Sequence, residues 1–556
     1  MEYTLRTLFF ALPLLLACPP KSDETGHTAE PLPDTAAPER DPRFDDFAAL
    51  VEASLADSDA SGLAVALIED GEVVFAEGFG TRSASSKEPV NANTTFRIGS
   101  VTKGMTALAL LQKAEAGRID MSASINTLLP EFEFYYDATW TDGMTGHHLL
   151  THQGGMYDYL EIDANADDDD LEAYLTTIFD RYLWLMSPAG AFYNYSNPNY
   201  SVAGYAMEAT EDRAKDGSSP ARYYPQIMRE DVFEPLGMTR TAFHADEVMA
   251  NGNYSVGLSY DWTGETTSSR DAGPEDYDSA WCRPAGYAWS SVLDVANYVS
   301  FLLKGNSEVL SEDARQQMVD IQVNTQEFFD YAGYGYGISL SDAWFANTDW
   351  IERRLLNHSG AIPGFSASWH ALPDSNDAVI ILANTDGEYF GDITLAALRL
   401  FDVNATSTAP DLTVDTSTFS EFVGTYEDPW NVGDIVITVD EDNLDLRVSM
   451  PDLDALDYDY DKVLAPYVDD NFVMTLTDFP FLITFIRDED GNPEYFRSRY
   501  FVGVLADGTP GVTAQPSSQK ADATTRRARI DGLLRERARN VETSPMRPFE
   551  PLSKTR

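Results

Sequence analysis

The stretch Phe96-Arg97-Ile98-Gly99-Ser100-Val101-Thr102-Lys103 decides how this chain is read. From Ser100 to Ala116 the apolar residues Met105, Leu108, Leu111 and Ala114 recur at helical spacing, so a helix is expected to open at the serine. A hydroxyl and an amine three residues apart then project from one face, which puts a base within reach of a nucleophile. The helix N-terminus favours a developing alkoxide, and the Ser100 amide can donate to an oxyanion. Ser-x-x-Lys alone recurs by chance, mostly on solvated surfaces, so the surrounding sequence must carry the reading.

Upstream, residues 47–55 have the spacing of an amphipathic helix. Two apolar runs, 62–68 and 73–76, flank Glu69-Asp70-Gly71-Glu72, a hairpin signal. Downstream, helices are expected at 171–185, 223–232 and 290–303, and strands at 335–340, 365–371 and 378–383. Helices between an early hairpin and late strands predict an α+β domain: an antiparallel sheet that joins both ends of the segment, flanked by helices and carrying a helical insert. Asn404-Ala405-Thr406-Ser407-Thr408-Ala409-Pro410 reads as a linker. Beyond it, alternating segments at 422–426, 435–439, 444–448, 472–476, 481–486 and 495–504 predict a small all-β domain over 411–505.

Read together, Gly62-Leu63-Ala64-Val65-Ala66-Leu67-Ile68, Ala76-Glu77-Gly78-Phe79-Gly80 and the Ser100 stretch resemble the class C β-lactamase and D,D-peptidase-related serine hydrolases. The resemblance runs on through His148-Leu149-Leu150-Thr151-His152-Gln153-Gly154-Gly155, Pro188-Ala189-Gly190, Glu234-Pro235-Leu236-Gly237-Met238 and Pro284-Ala285-Gly286, and covers about residues 43–403. Tyr195-Ser196-Asn197 is similar to that superfamily's Tyr-x-Asn motif. His358-Ser359-Gly360 is similar to its third motif, Lys-Thr-Gly in many lactamases and His-x-Gly in related esterases and peptidases. The class A enzymes carry Ser-Asp-Asn second, so Tyr195 marks the tyrosine branch.

The resemblance implies a β-lactamase/transpeptidase-like fold and acyl transfer through a Ser100 acyl-enzyme. Lys103, partly desolvated, would take the serine proton directly or through Tyr195. Tyr195 would protonate the leaving group and activate the deacylating water, and Asn197 would hold Lys103 and a substrate amide. His358, Ser359 and Gly360 would line the cleft on an edge strand, with the Ala361 amide joining that of Ser100 in the oxyanion hole. A histidine in the third motif is only partly charged near neutral pH, unlike lysine, so β-lactam specialisation is in doubt. Phe422-Val423-Gly424-Thr425-Tyr426 resembles the opening of the lipocalin-like β-domain appended to many of these hydrolases.

Composition bounds the alternatives. At 556 residues the chain suits two folded domains plus tails, and 43% hydrophobic residues can fill their cores. A net charge of -53 argues against a nucleic-acid partner. With two cysteines, Cys18 and Cys282, a disulfide framework is excluded. Residues 5–17 form a short apolar region after Arg6, and Leu15-Leu16-Ala17-Cys18 resembles a bacterial lipobox. Residues 1–18 are therefore expected to be a lipoprotein signal, with Cys18 lipidated and the protein exported and anchored to the cell envelope. Residues 19–42 read as a disordered tether. The final segment, 506–556, holds 10 of the 38 Lys and Arg and reads as a mobile basic tail.

His147, His148 and His152 invite a zinc site, because His148 and His152 stand four apart, but no Glu follows His148. Five aspartates within 163–170 could take calcium and are otherwise a solvated loop. Cys282 reads as a structural thiol. No cofactor or metal is expected. The expected activity is a serine hydrolase acting on an ester or amide of a small molecule or short peptide, including a D-amino-acid peptide or a β-lactam. The alternative is a non-catalytic penicillin-recognition sensor or surface-binding protein.

Overall fold

In the computed structural model the described residues are 34–506 and 521–539, apart from 131, 133–137, 159–165, 169, 180–184, 212–220, 263–266, 328–331, 347, 405, 407, 441 and 443. Cys18 and the expected signal lie outside them.

Helix α1 (Asp45–Ala56) leads into β1 (Gly62–Glu69) and β2 (Glu72–Gly80). Asp70 (φ 51°) and Gly71 (φ 77°) are both left-handed, which a two-residue hairpin turn of this hand requires. Next come helices α2 (Thr102–Glu115), α3 (Asn197–Ala209) and α4 (Val292–Lys304), then strands β3 (Val323–Asn324), β4 (Ala332–Tyr334), β5 (Ser339–Ser341), β6 (Leu355–Ile362), β7 (Phe365–Leu372) and β8 (Asp377–Ala383), and helix α5 (Gly391–Leu400). The sheet runs β2-β1-β8-β7-β6-β5-β4-β3, antiparallel throughout, so the first hairpin closes onto the last strands. Strand β1 is buried on both faces, and its alternation divides the core. Ala64, Ala66 and Ile68 face the α2 and α4 side, while Leu63, Val65 and Leu67 face α1 and α5.

Several sequence expectations need correction. The segment 335–340 is not one strand: Gly337 takes φ 75° in the turn between β4 and β5. Helix α2 begins at Thr102, and Ser100 lies in the 3-10 turn Gly99–Val101 that feeds it. That helix is buried over the whole of Thr102 to Leu111 rather than along one stripe, because the helical insert surrounds it. In the tether, Asp34 pairs with the buried Arg240 (2.9 Å) and Thr35 exchanges hydrogen bonds with Asn93, so residues 34–42 are pinned to the domain.

The C-terminal strands are β9 (Gly424–Asp428), β10 (Gly433–Asp440), β11 (Asp445–Ser449), β12 (Ala465–Val468), β13 (Asn471–Leu476), β14 (Phe479–Arg487), β15 (Pro493–Ser498) and β16 (Phe501–Leu505). They form an antiparallel sheet in the order β11-β10-β9-β16-β15-β14-β13-β12. Its two edges are bridged where Leu464 N donates to Leu446 O (2.9 Å) and Val448 N donates to Lys462 O (3.1 Å), which closes the sheet. The 495–504 segment, expected as one strand, is two, with a turn at Arg499 and Tyr500. Of the expected basic tail 506–556, residues 507–520 and 540–556 lie outside the described residues, while 521–539 fold onto the β-domain. Helix α6 (Ala523–Arg539) packs Ile530, Leu533 and Leu534 into the β-domain core, and its Arg526 and Arg529 donate to the carbonyls of Asn431 and Trp430.

Candidate active site

Backbone contact builds the site first. Gly99 has φ 51°, and a Cβ there would stand 2.7 Å from Ala361 N. A Cβ on Gly360 would stand 2.0 Å from Ile98 O and 3.0 Å from Ser100 N. Only glycines let β6 and the Ser100 turn meet this closely. The amides of Ser100 and Ala361 are thereby brought beside one another. Strand β6 pairs with β5 only through Leu355, Leu356 and Asn357, so His358, Ser359 and Gly360 lie beyond that pairing, on an edge of the strand.

Lys103 is fully buried, and its Nζ has three close oxygens: Ser100 Oγ at 2.9 Å, Asn197 Oδ1 at 2.7 Å and the Ala285 carbonyl at 2.7 Å. Burial pushes the amine well below its ordinary pKa, with Arg499 adding to the fall and Asp158 and Cys282 opposing it. The two carbonyl oxygens can only accept. A neutral amine therefore spends both protons on them and turns its lone pair to the Ser100 hydroxyl.

Asn197 is held in turn. Its backbone N and Nδ2 donate to Asp158 Oδ1 at 2.8 and 3.1 Å, which fixes the amide with its oxygen towards Lys103. The second Asp158 oxygen accepts from Arg499 Nε at 2.9 Å. Tyr195 lies between Lys103 and Arg499, its ring centroid 4.8 Å from Lys103 Nζ and 4.5 Å from Arg499 Cζ. His358 Nδ1 donates to the Ser359 carbonyl (2.6 Å), leaving Nε2 to accept from Tyr334 Oη (3.0 Å). Burial, reinforced by Lys103, takes this histidine down to about 3, so it is neutral rather than partly charged near neutral pH.

His147, His148 and His152 do not share a helix face. The helix Gly146–Leu150 ends before His152, which takes φ 56° and buries its ring against Tyr193, Tyr195, Tyr200 and Tyr334. His152 Nδ1 accepts from Ser196 N (3.1 Å), so this ring positions the Tyr195 segment. Among the described residues no group of three or more His, Cys, Asp or Glu could hold a metal. Of the expected aspartate loop, Asp168 turns to Arg283 (2.6 Å) and His244 (2.7 Å), cations of the protein itself. Cys282 is buried. Asp158 and Arg499 escaped the sequence reading: neither sits in a motif, and the contact between them spans 341 positions.

The family model for Beta-lactamase matches residues 47–402. The chain belongs to the beta-lactamase family. Within that family it resembles Protein flp of Staphylococcus aureus (strain MRSA252), at 22% identity over 340 residues, or 61% of this chain and 62% of that relative's own length. Penicillin-binding protein 4* of Bacillus subtilis (strain 168) is 25% identical over 386 residues, covering 64% of this chain and 77% of the relative. Among solved structures, SurE aligns with a TM-score of 0.59 at 21% identity, covering 83% of this chain and 99% of that one. The octameric penicillin-binding protein homologue from Pyrococcus abyssi aligns with a TM-score of 0.54 at 19% identity and the same coverage. Both alignments reach past the beta-lactamase region, and residues 408–509 match a domain of unknown function, DUF3471.

Proposed function

We propose that the protein is a serine hydrolase that cleaves a small ester or amide, D-amino-acid amides and peptides included, through an acyl-enzyme on Ser100. The observation that carries this reading is the buried Lys103 Nζ, which stands 2.9 Å from Ser100 Oγ and 2.7 Å from both Asn197 Oδ1 and the Ala285 carbonyl; in the neutral form that burial favours, the amine can give its two protons to those carbonyls and accept the Ser100 proton. In the acylation step Ser100 Oγ loses its proton to Lys103 Nζ and bonds to the substrate carbonyl carbon. The carbonyl oxygen takes the negative charge beside the Ser100 and Ala361 amides. Collapse breaks the bond to the alcohol or amine, which leaves with a proton delivered from Lys103 through Tyr195. Water then attacks the acyl carbon as one of its protons passes through Tyr195 to Lys103; the bond from the acyl carbon to Ser100 Oγ breaks, Lys103 returns that proton to Oγ, and the product acid leaves.

The third motif shapes the substrate class. A neutral His358, tied to Tyr334 and Ser359, supplies no fixed positive charge for a substrate carboxylate, which favours neutral esters and amides over β-lactams. The deciding experiment is a hydrolysis panel of short-chain p-nitrophenyl esters, D-amino-acid amides, D-Ala-D-Ala peptides and nitrocefin, run beside Ser100→Ala. Turnover of esters or D-amides that vanishes in Ser100→Ala is expected. A panel with no turnover at all would favour a penicillin-recognition sensor instead.

A further inference from the structure

The Ser100 site draws one of its charged groups from the C-terminal domain. Arg499 stands in the two-residue turn between β15 and β16, at the tip of the closed sheet. Its Nε donates to Asp158 Oδ2 (2.9 Å), its guanidinium covers the Tyr195 ring (4.5 Å), and its carbonyl accepts from Asn194 Nδ2 (3.1 Å). The Asp158 side chain is fully buried, so its carboxylate depends on this partner and on the two Asn197 donors.

We propose that Arg499 is a positioning residue of the Ser100 site: it holds Asp158, Asp158 holds Asn197, and Asn197 holds Lys103 against the serine. The C-terminal domain thus completes the catalytic machinery instead of merely standing beside it. Its docking is separately secured. Arg497 donates to the carbonyls of Tyr193 (2.6 Å) and Thr325 (3.0 Å), and Trp430, Ile486, Tyr495 and Val502 pack against Tyr157, Met186 and Phe192.

The electrostatic consequence has a sign. Lys103 is faced by Asp158 and Cys282, which favour the ammonium, by Arg499, which opposes it, and by the rings of Tyr195, Tyr200, His152 and His358. Both histidines are held neutral by burial. Removing the Arg499 charge leaves Asp158 uncompensated and makes Lys103 easier to protonate. Removing the Asp158 charge does the opposite.

The inference rests on the Ser100 acylation reading, and the test separates the two. The rate at which a fluorophosphonate labels Ser100 is followed against pH by peptide mass spectrometry in the full chain, Arg499→Gln, Arg499→Lys and Asp158→Asn, each checked by circular dichroism and melting. Arg499→Gln is expected to label roughly tenfold more slowly near neutral pH, with its acid limb moved to higher pH by about one unit. Arg499→Lys should restore much of both, and Asp158→Asn should move the limb to lower pH. If Arg499→Gln does not fold, Arg499→Met takes its place: slower labelling with the limb moved to higher pH supports the proposal and an unmoved limb overturns it. Slow labelling with an unshifted limb, or an unchanged rate, overturns it too. A wild-type chain that labels with no adduct on Ser100 overturns the acylation reading along with it.

Discussion

At the scale of single residues, the site depends on what surrounds a lysine. Ser100, Lys103, Tyr195 and Asn197 could be picked out of the sequence because each sits in a short motif whose spacing is local. What the motifs cannot say is that Lys103 Nζ meets two carbonyl oxygens, one from Asn197 and one from Ala285. Lys103→Met should lower kcat/KM by about 10²–10⁴-fold, the usual contribution of a positioned base, in a steady-state assay on the best ester of the panel. Activity in the wild type should fall as pH drops through the depressed Lys103 pKa, because protonation removes the lone pair that Ser100 needs. A profile flat through the acid range would remove Lys103 from that role. His358 is illegible in a different way. Its ring is a third-motif residue in sequence, but its neutrality comes from burial and from Tyr334, which only the fold brings near.

Elements are where glycine and a charge latch set the geometry. Strand β6 approaches the Ser100 turn at Gly360, so Gly360→Ala forces a Cβ against the Ile98 carbonyl. A retreat of about 1 Å should cost roughly 10²-fold in kcat/KM, with a folded protein by circular dichroism. Wild-type activity in that variant would mean that the β6 approach is not needed. The segment around Asp168 is latched by Arg283 and His244. The Asp168 and Glu247 bonds raise the His244 pKa to about 9, above its ordinary 6.5. The latch is therefore fully present below about pH 6.5 and is lost as pH rises through about 9. Melting temperature should fall more steeply between those values in wild type than in His244→Gln, and equal slopes would contradict the latch. Hairpins and regular helices were legible from spacing, as the Asp70-Gly71 turn shows. The split of 335–340 was not, because a Gly337 turn inside an apolar run carries no period of its own.

For the whole molecule, two folded units share one site. The antiparallel α+β domain and the all-β domain follow from composition shifts and alternation. Helix α6 did not, because its core residues Ile530, Leu533 and Leu534 are few and lie among arginines. Leu533→Ala should cost about 2–5 kcal/mol in chemical denaturation, the range for a core leucine, and a loss within error would show α6 to be dispensable. The contact of Arg499 with Asp158 was equally hidden, since nothing local in either segment points to the other. The most direct test of the account is peptide mass spectrometry of the full-length protein after reaction with a fluorophosphonate. An adduct on the Ser100 peptide, absent in Ser100→Ala and strongly reduced in Lys103→Met, is the predicted result. No adduct, or one on another residue with Ser100 intact, would contradict it.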